Sequence, residues 1–197
     1  MASIQIMLAT VSNQRMDMSL ISLLSRRRKR REDASLWHRW ILGTARDPRP
    51  FEAGWVPDTL EGRFQMVTLV ATLALRHLRE TPATDPKLPD LVYRNVFSGF
   101  DHALREEGVG DSSIARRIRK MGEAFFGLAR RLDAAFSGTS TESALRQALI
   151  DNGVSPLGHE GDLAFWLIRQ DEILSRLPAG VPPEVDPQGA SSSASST

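Results

Sequence analysis

The sequence predicts an all-α fold: a single compact domain of about six helices, with a basic N-terminal arm and a disordered C-terminal tail. Three observations carry that prediction. Apolar residues recur at helical spacing, most clearly at Ile114, Ile118, Met121, Phe125, Leu128 and Leu132. Capping residues, glycines and prolines bracket each such stretch. No alternating strand pattern of useful length occurs, and no internal repeat is visible.

Residues 1–31 are read as the arm. They carry seven Lys/Arg against one acid, a net charge of +6, which leaves −5 for the other 166 residues. The arm ends in Arg26-Arg-Arg-Lys-Arg-Arg31, and because this basic cluster follows the apolar part it lacks the order of a signal peptide. A disordered or loosely helical arm is expected; a targeting presequence, a membrane-surface segment, or a start at Met16 or Met18 are the alternatives. The domain is placed at 32–177. Ser35 is expected to cap a short helix through Arg46, which Asp47-Pro-Arg-Pro breaks. Asp58 and Glu61 have capping-box spacing for a largely apolar, central helix to about Arg79.

After a proline-containing loop, Asp90 is expected to open a helix to Glu107. Gly108 can take the left-handed conformation that ends it, Gly110 extends the turn, and Asp111 is placed to cap the next helix, 112–136. Thr139 and Glu142 repeat the capping-box spacing for a short helix to Asn152-Gly153. Asp162 opens the last helix, to about Leu177. Residues 178–197, rich in Pro, Gly and Ser, form the expected disordered tail.

Composition narrows the chemistry. The chain has no cysteine, which excludes disulfides, cysteine-based metal sites and a thiol nucleophile. The longest apolar run, Phe64 to Leu75, is short of the roughly 18 residues a membrane span needs. The histidines at 38, 77, 102 and 159 form no HExxH pair, and there is no P-loop, GxGxxG or GxSxG motif. Gly108-Val-Gly110 resembles a phosphate cradle only superficially, because Asp111 puts a carboxylate where the anion belongs. No catalytic residue, metal or cofactor is expected.

Binding surfaces are the better candidates. Arg116, Arg117, Arg119 and Lys120 avoid the apolar stripe, so they form either a solvated face or a cationic docking patch. The basic face has no interleaved aromatics, which argues against a dedicated RNA reader. Gly62, inside the first turn of a helix, implies close approach of another backbone. Arg63 either clamps a carboxylate, Asp58 or Asp111, or faces a partner. Trp37, Trp40 and Trp55 belong either to the core or to a groove for an apolar helix.

Two of these stretches resemble a known family. Phe100-Asp-His-Ala-Leu-Arg-Glu-Glu-Gly-Val-Gly-Asp111, continuing through Arg-Lys-Met-Gly-Glu-Ala-Phe125, and Gly54-Trp-Val-Pro-Asp-Thr-Leu-Glu-Gly-Arg-Phe64 are similar to the ubiquinol–cytochrome c chaperones, assembly factors of the cytochrome bc1 complex. The resemblance covers roughly residues 35–176. It implies a non-catalytic chaperone that binds newly made cytochrome b, another bc1 subunit, or a small helical partner protein, with the ribosome or an anionic membrane surface as further partners and no DNA. The Arg/Ala/Gly-rich composition reads as bacterial, which implies a cytoplasmic, peripherally membrane-associated location; the mitochondrial matrix is the alternative. Two readings from other classes remain: an RNA-binding accessory protein, and an all-α isoprenoid or phospholipid enzyme, for which the expected DDxxD-like motif is absent.

Overall fold

The computed structural model describes residues 2–106, 111–178 and 180–183, and every regular element among them is helical. In chain order these are α1 (Ala2–Ala45), α2 (Arg49–Glu52), α3 (Leu60–Glu80), α4 (Leu88–Glu106), α5 (Asp111–Ser137), α6 (Thr141–Asp151) and α7 (Glu160–Ser175). The expected all-α architecture is therefore found, with the four-residue α2 added between the proline breaks. The expected turn at Gly108 and Gly110 lies outside the described residues.

α3 sits at the centre and touches α1, α4, α5 and α7. Every residue from Thr68 to Leu75 is buried. Two of them are threonines, and both are satisfied within the helix: Thr68 Oγ1 donates to the Phe64 carbonyl at 3.0 Å, and Thr72 Oγ1 to the Thr68 carbonyl at 2.8 Å. A helix apolar all round must be enclosed on all sides, and the other helices do this. Arg76 ties the enclosure together. Its guanidinium reaches Asp171 of α7 at 2.9 Å and lies 5.0 Å from the centre of the Phe136 ring of α5.

Several helix boundaries differ from the sequence expectation, each for a local reason. α1 does not start at Ser35: the Ser35 hydroxyl donates to the Arg31 carbonyl one turn back, so it lies inside a continuous helix. α3 is capped by Thr59, whose Oγ1 accepts from the Gly62 N–H at 3.1 Å, and not by Asp58. α4 begins at Leu88 because Pro89 falls in its first turn, where a missing N–H costs nothing. Asp111 is the first helical residue of α5. α6 has Ser140, not Thr139, at its N-cap, and α7 begins at Glu160, leaving Asp162 in its first turn. The domain also extends past Leu177, since the Gly180 carbonyl accepts from Trp37 Nε1 at 3.1 Å.

Candidate functional site

The Pro57–Phe64 segment is a small construction with one job per residue. The Pro57 carbonyl lies over Gly62, so close that a β-carbon there would sit 2.0 Å from the oxygen. Thr59 caps the helix. Arg63 closes back on Asp58, with Nε–Oδ1 at 2.7 Å and Nη2–Oδ2 at 3.2 Å. Of the two carboxylates proposed for Arg63, Asp58 is thus the partner. The close backbone approach expected at Gly62 is also found. The result fixes where Leu60, Arg63, Phe64 and Val67 point.

They point into a groove. Its volume is about 810 Å³, and it lies between the end of α1, α2, the start of α3, α4 and α5. Leu42 and Ala45 form one wall and Phe51 of α2 another; Leu60, Phe64 and Val67 come from α3, Val96 and Phe100 from α4, and Met121 and Ala124 from α5. Phe64 and Phe100 meet edge to face at 5.0 Å, and Phe100 packs similarly on Phe97 at 5.6 Å. Leu60 is 53% exposed at the mouth of the cleft.

The rim is charged. Arg46, Arg63, Arg117 and Lys120 alternate with Glu52, Asp58 and Glu61. Arg63 is committed to Asp58 and lies 5.8 Å from the Phe51 ring centre. Arg46, Arg117 and Lys120 are exposed, and none has a carboxylate within ion-pair distance among the described residues. Glu52 and Glu61 are likewise exposed with no cation within ion-pair distance among the described residues, so the rim offers unpaired charge of both signs around an apolar cleft, which orients an occupant that is apolar along its length and polar at its edges.

The four cations of α5 therefore divide. Arg117 and Lys120, three residues apart, share the side that carries Met121 and Ala124 into the groove. Arg116 and Arg119 are exposed elsewhere, and Arg119 stands 4.0 Å from Glu123. Met121 itself is half-buried and lines the groove, whereas Phe125, Leu128 and Leu132 of the same stripe lie in the core and Ile114, at the start of the helix, is buried outside the groove.

The tryptophans are not groove residues. Trp37 and Trp40 are buried at 0% and 4% exposure and meet at 5.7 Å. The core, not a client groove, is where both belong. Trp55 is half-buried away from the groove, and its carbonyl accepts the Ser155 hydroxyl at 2.7 Å. The groove's own aromatic residues, Phe51, Phe64 and Phe100, escaped the sequence reading because helical periodicity marks an inward face without saying whether that face is covered.

Among the described residues no group of three His, Asp or Glu side chains is arranged to hold a metal ion. Asp47, near the groove, is occupied structurally. Burial pushes its carboxyl up, but hydrogen bonds from the Arg49 side chain and backbone outweigh this and hold it below the usual carboxylate range. Its Oδ2 also accepts from Trp166 Nε1 at 3.4 Å.

A family model described as ubiquinol-cytochrome C chaperone matches residues 52–180, a span that contains the Gly62 contact, the groove segments of α3 to α5 and the Gly180 clamp. The chain belongs to the ubiquinol–cytochrome c chaperone family. A solved structure agrees: the Cbp3 homolog from Brucella abortus superposes with a TM-score of 0.68 at 26% identity, covering 85% of this chain and 98% of that one. A comparison with curated proteins finds no match. Family membership carries a coarse role with it, that of a chaperone in assembly of the bc1 complex. The chaperone's groove lies within the matched region except for its α1 wall, Arg46, Pro48 and Phe51.

Proposed function

We propose that the chaperone holds an apolar segment of newly made cytochrome b, or of another bc1 subunit, in the groove between α1, α3, α4 and α5 until partner subunits cover it. The observation that carries this reading is the open apolar cleft itself, walled by Phe51, Phe64 and Phe100 and rimmed by unpaired charges. Burying an apolar face in such a cleft gains roughly 25 cal/mol per Å² of apolar surface removed from water. The rim charges add selectivity and orientation more than affinity. Nothing in the mechanism requires a covalent step. In this reading the chaperone works on the cytoplasmic side, where a cytochrome b segment reaches the membrane.

The test is site-specific photocrosslinking in cells that assemble the complex. A crosslinker at Leu60 or Met121 is expected to capture cytochrome b. The same group at Phe165, which is 63% exposed on α7 away from the groove, is not. Capture at Phe165 with none at the groove positions would overturn the assignment. A companion variant, Leu60→Asp with Met121→Asp, is expected to keep its helical content and lose mature bc1 complex. Normal assembly with that variant speaks equally clearly against the groove.

A further inference from the structure

The basic end of α1 is not absorbed by the groove or by the core. Of the six consecutive cations from Arg26 to Arg31, three are spent within the molecule: Arg28 on Glu32 at 2.8 Å, Lys29 on Asp33 at 3.1 Å, and Arg30 on Asp85 at 2.7 Å. The Arg30–Asp85 pair has a second consequence, because it bolts the helix to the loop before α4. Arg26, Arg27 and Arg31 remain exposed, with no carboxylate partner among the described residues.

One turn earlier, Leu23 and Leu24 are 52% and 64% exposed on the same rigid helix. The residues ahead of them in the sequence include Ile4, Ile6, Met7, Leu8, Val11, Met16, Met18 and Leu20, with Asp17 the single acid. Among the described residues no helix is long and apolar enough to cross a membrane. Exposed leucines within about two turns of unpaired arginines put apolar groups and cations on one short stretch of helix, so that the leucines can enter an acyl boundary where the cations meet headgroup phosphates.

We propose that residues 22–31 of α1 dock on an anionic phospholipid surface, through Leu23 and Leu24 together with Arg26, Arg27 and Arg31. Charge complementarity selects the occupant, and the two leucines select lipid over a nucleic acid, which has no use for exposed aliphatic groups beside its phosphates. Docking here also has a geometric effect. The same helix carries Leu42 and Ala45 into the groove, and at 1.5 Å per residue these lie roughly 16–21 Å along the axis from Arg31. A lipid-bound α1 therefore holds the groove close to the membrane surface.

The experiment is co-sedimentation of the full chain with vesicles. Binding is expected to vesicles containing phosphatidylglycerol, weakening as salt is raised, and not to pure phosphatidylcholine. Changing Arg26, Arg27 and Arg31 together to Gln removes about five-fold in affinity per cation, or on the order of a hundred-fold in total, with the helical circular dichroism unchanged. The variant Leu23→Ser with Leu24→Ser is expected to weaken vesicle binding while leaving any binding to a single-stranded RNA 20-mer untouched. No binding to phosphatidylglycerol vesicles, or retention of binding by either variant, overturns the proposal; if only the Leu23→Ser/Leu24→Ser variant retains it, α1 is a polyanion binder at most. Because the readout is lipid binding, its failure leaves the groove reading standing, and failure of the groove crosslinks leaves this one standing.

Discussion

At Gly62 two effects of opposite sign meet at one atom. Replacing a helical glycine by alanine ordinarily stabilises by up to about 1 kcal/mol, through lower backbone entropy in the unfolded chain. Here the new β-carbon would sit 2.0 Å from the Pro57 oxygen and 3.1 Å from a Val56 methyl. The obstacle is backbone, which cannot swing aside as a side chain does, so the contact wins. Gly62→Ala is expected to destabilise by roughly 1–3 kcal/mol, the usual cost of overpacking, read as a lower urea midpoint. A neutral or stabilised variant would show that the Pro57 turn yields easily. Arg63→Ala should do much less to stability, since its pair with Asp58 is solvent-exposed on both sides and screened by water.

At the scale of an element, α5 shows how one helix serves two surroundings. Phe125 and Phe126 are adjacent in sequence, 100° apart around the axis, and their rings meet at 5.6 Å. Phe125 is 2% exposed and Phe126 59%. Phe125→Ala is expected to cost about 3–5 kcal/mol by leaving a cavity against Tyr93 and Phe97. Phe126→Ala is expected to cost under about 1 kcal/mol, since it loses only a stacking contact with Tyr93 and its neighbour. Chemical denaturation of the two variants measures both values, and similar losses would mean that the outer face of α5 is covered. Further along the same helix, Met121 belongs to the groove, so substitutions there act on client binding before they act on the fold.

For the whole molecule, two half-buried histidines set a pH limit on stability. His38 lies beside α4, with its Nε2 near Gly99; His77 of α3 packs on Trp37 at 5.8 Å. The Nε2 atoms of both are buried without a hydrogen-bond partner among the described residues. Burial lowers the pKa of each below the ordinary imidazole value, partly opposed at His77 by Asp171 and Glu80. Above a pH of about 6.5 both histidines are neutral in folded and unfolded chains, and their contribution is fully present. Below it the unfolded chain takes up protons first, so stability falls as pH drops from about 6.5 through the lowered folded pKa. The thermal midpoint of the wild-type protein is expected to fall more between pH 7.5 and 5.0 than that of His38→Gln/His77→Gln. Equal pH slopes would assign the acid sensitivity to carboxylates instead.

Most of the helices were legible in the sequence, because helical periodicity and end signals are local: the stripe from Ile114 to Leu132 and the proline break near residue 48 are written within a few residues of where they act, whereas the continuation of α1 back through the arm and the four-residue α2 were not. The family was legible too, since the Gly54–Phe64 and Phe100–Phe125 stretches are each contiguous. Cap identities slipped by a residue: at α3 the neighbouring Asp58 and Thr59 compete for the same N–H and Thr59 takes it, while at α6 Ser140 holds the cap position of Thr139 without a side-chain hydrogen bond. Only the tertiary structure decided which inward faces are closed. Trp37 is sealed by α3 and Gly180, whereas Leu60, Phe100 and Met121, with the same apolar character, converge from three helices on a cleft that no further element among the described residues fills. That difference depends on how the helices meet across long sequence separations, and a residue's own helical position does not encode it.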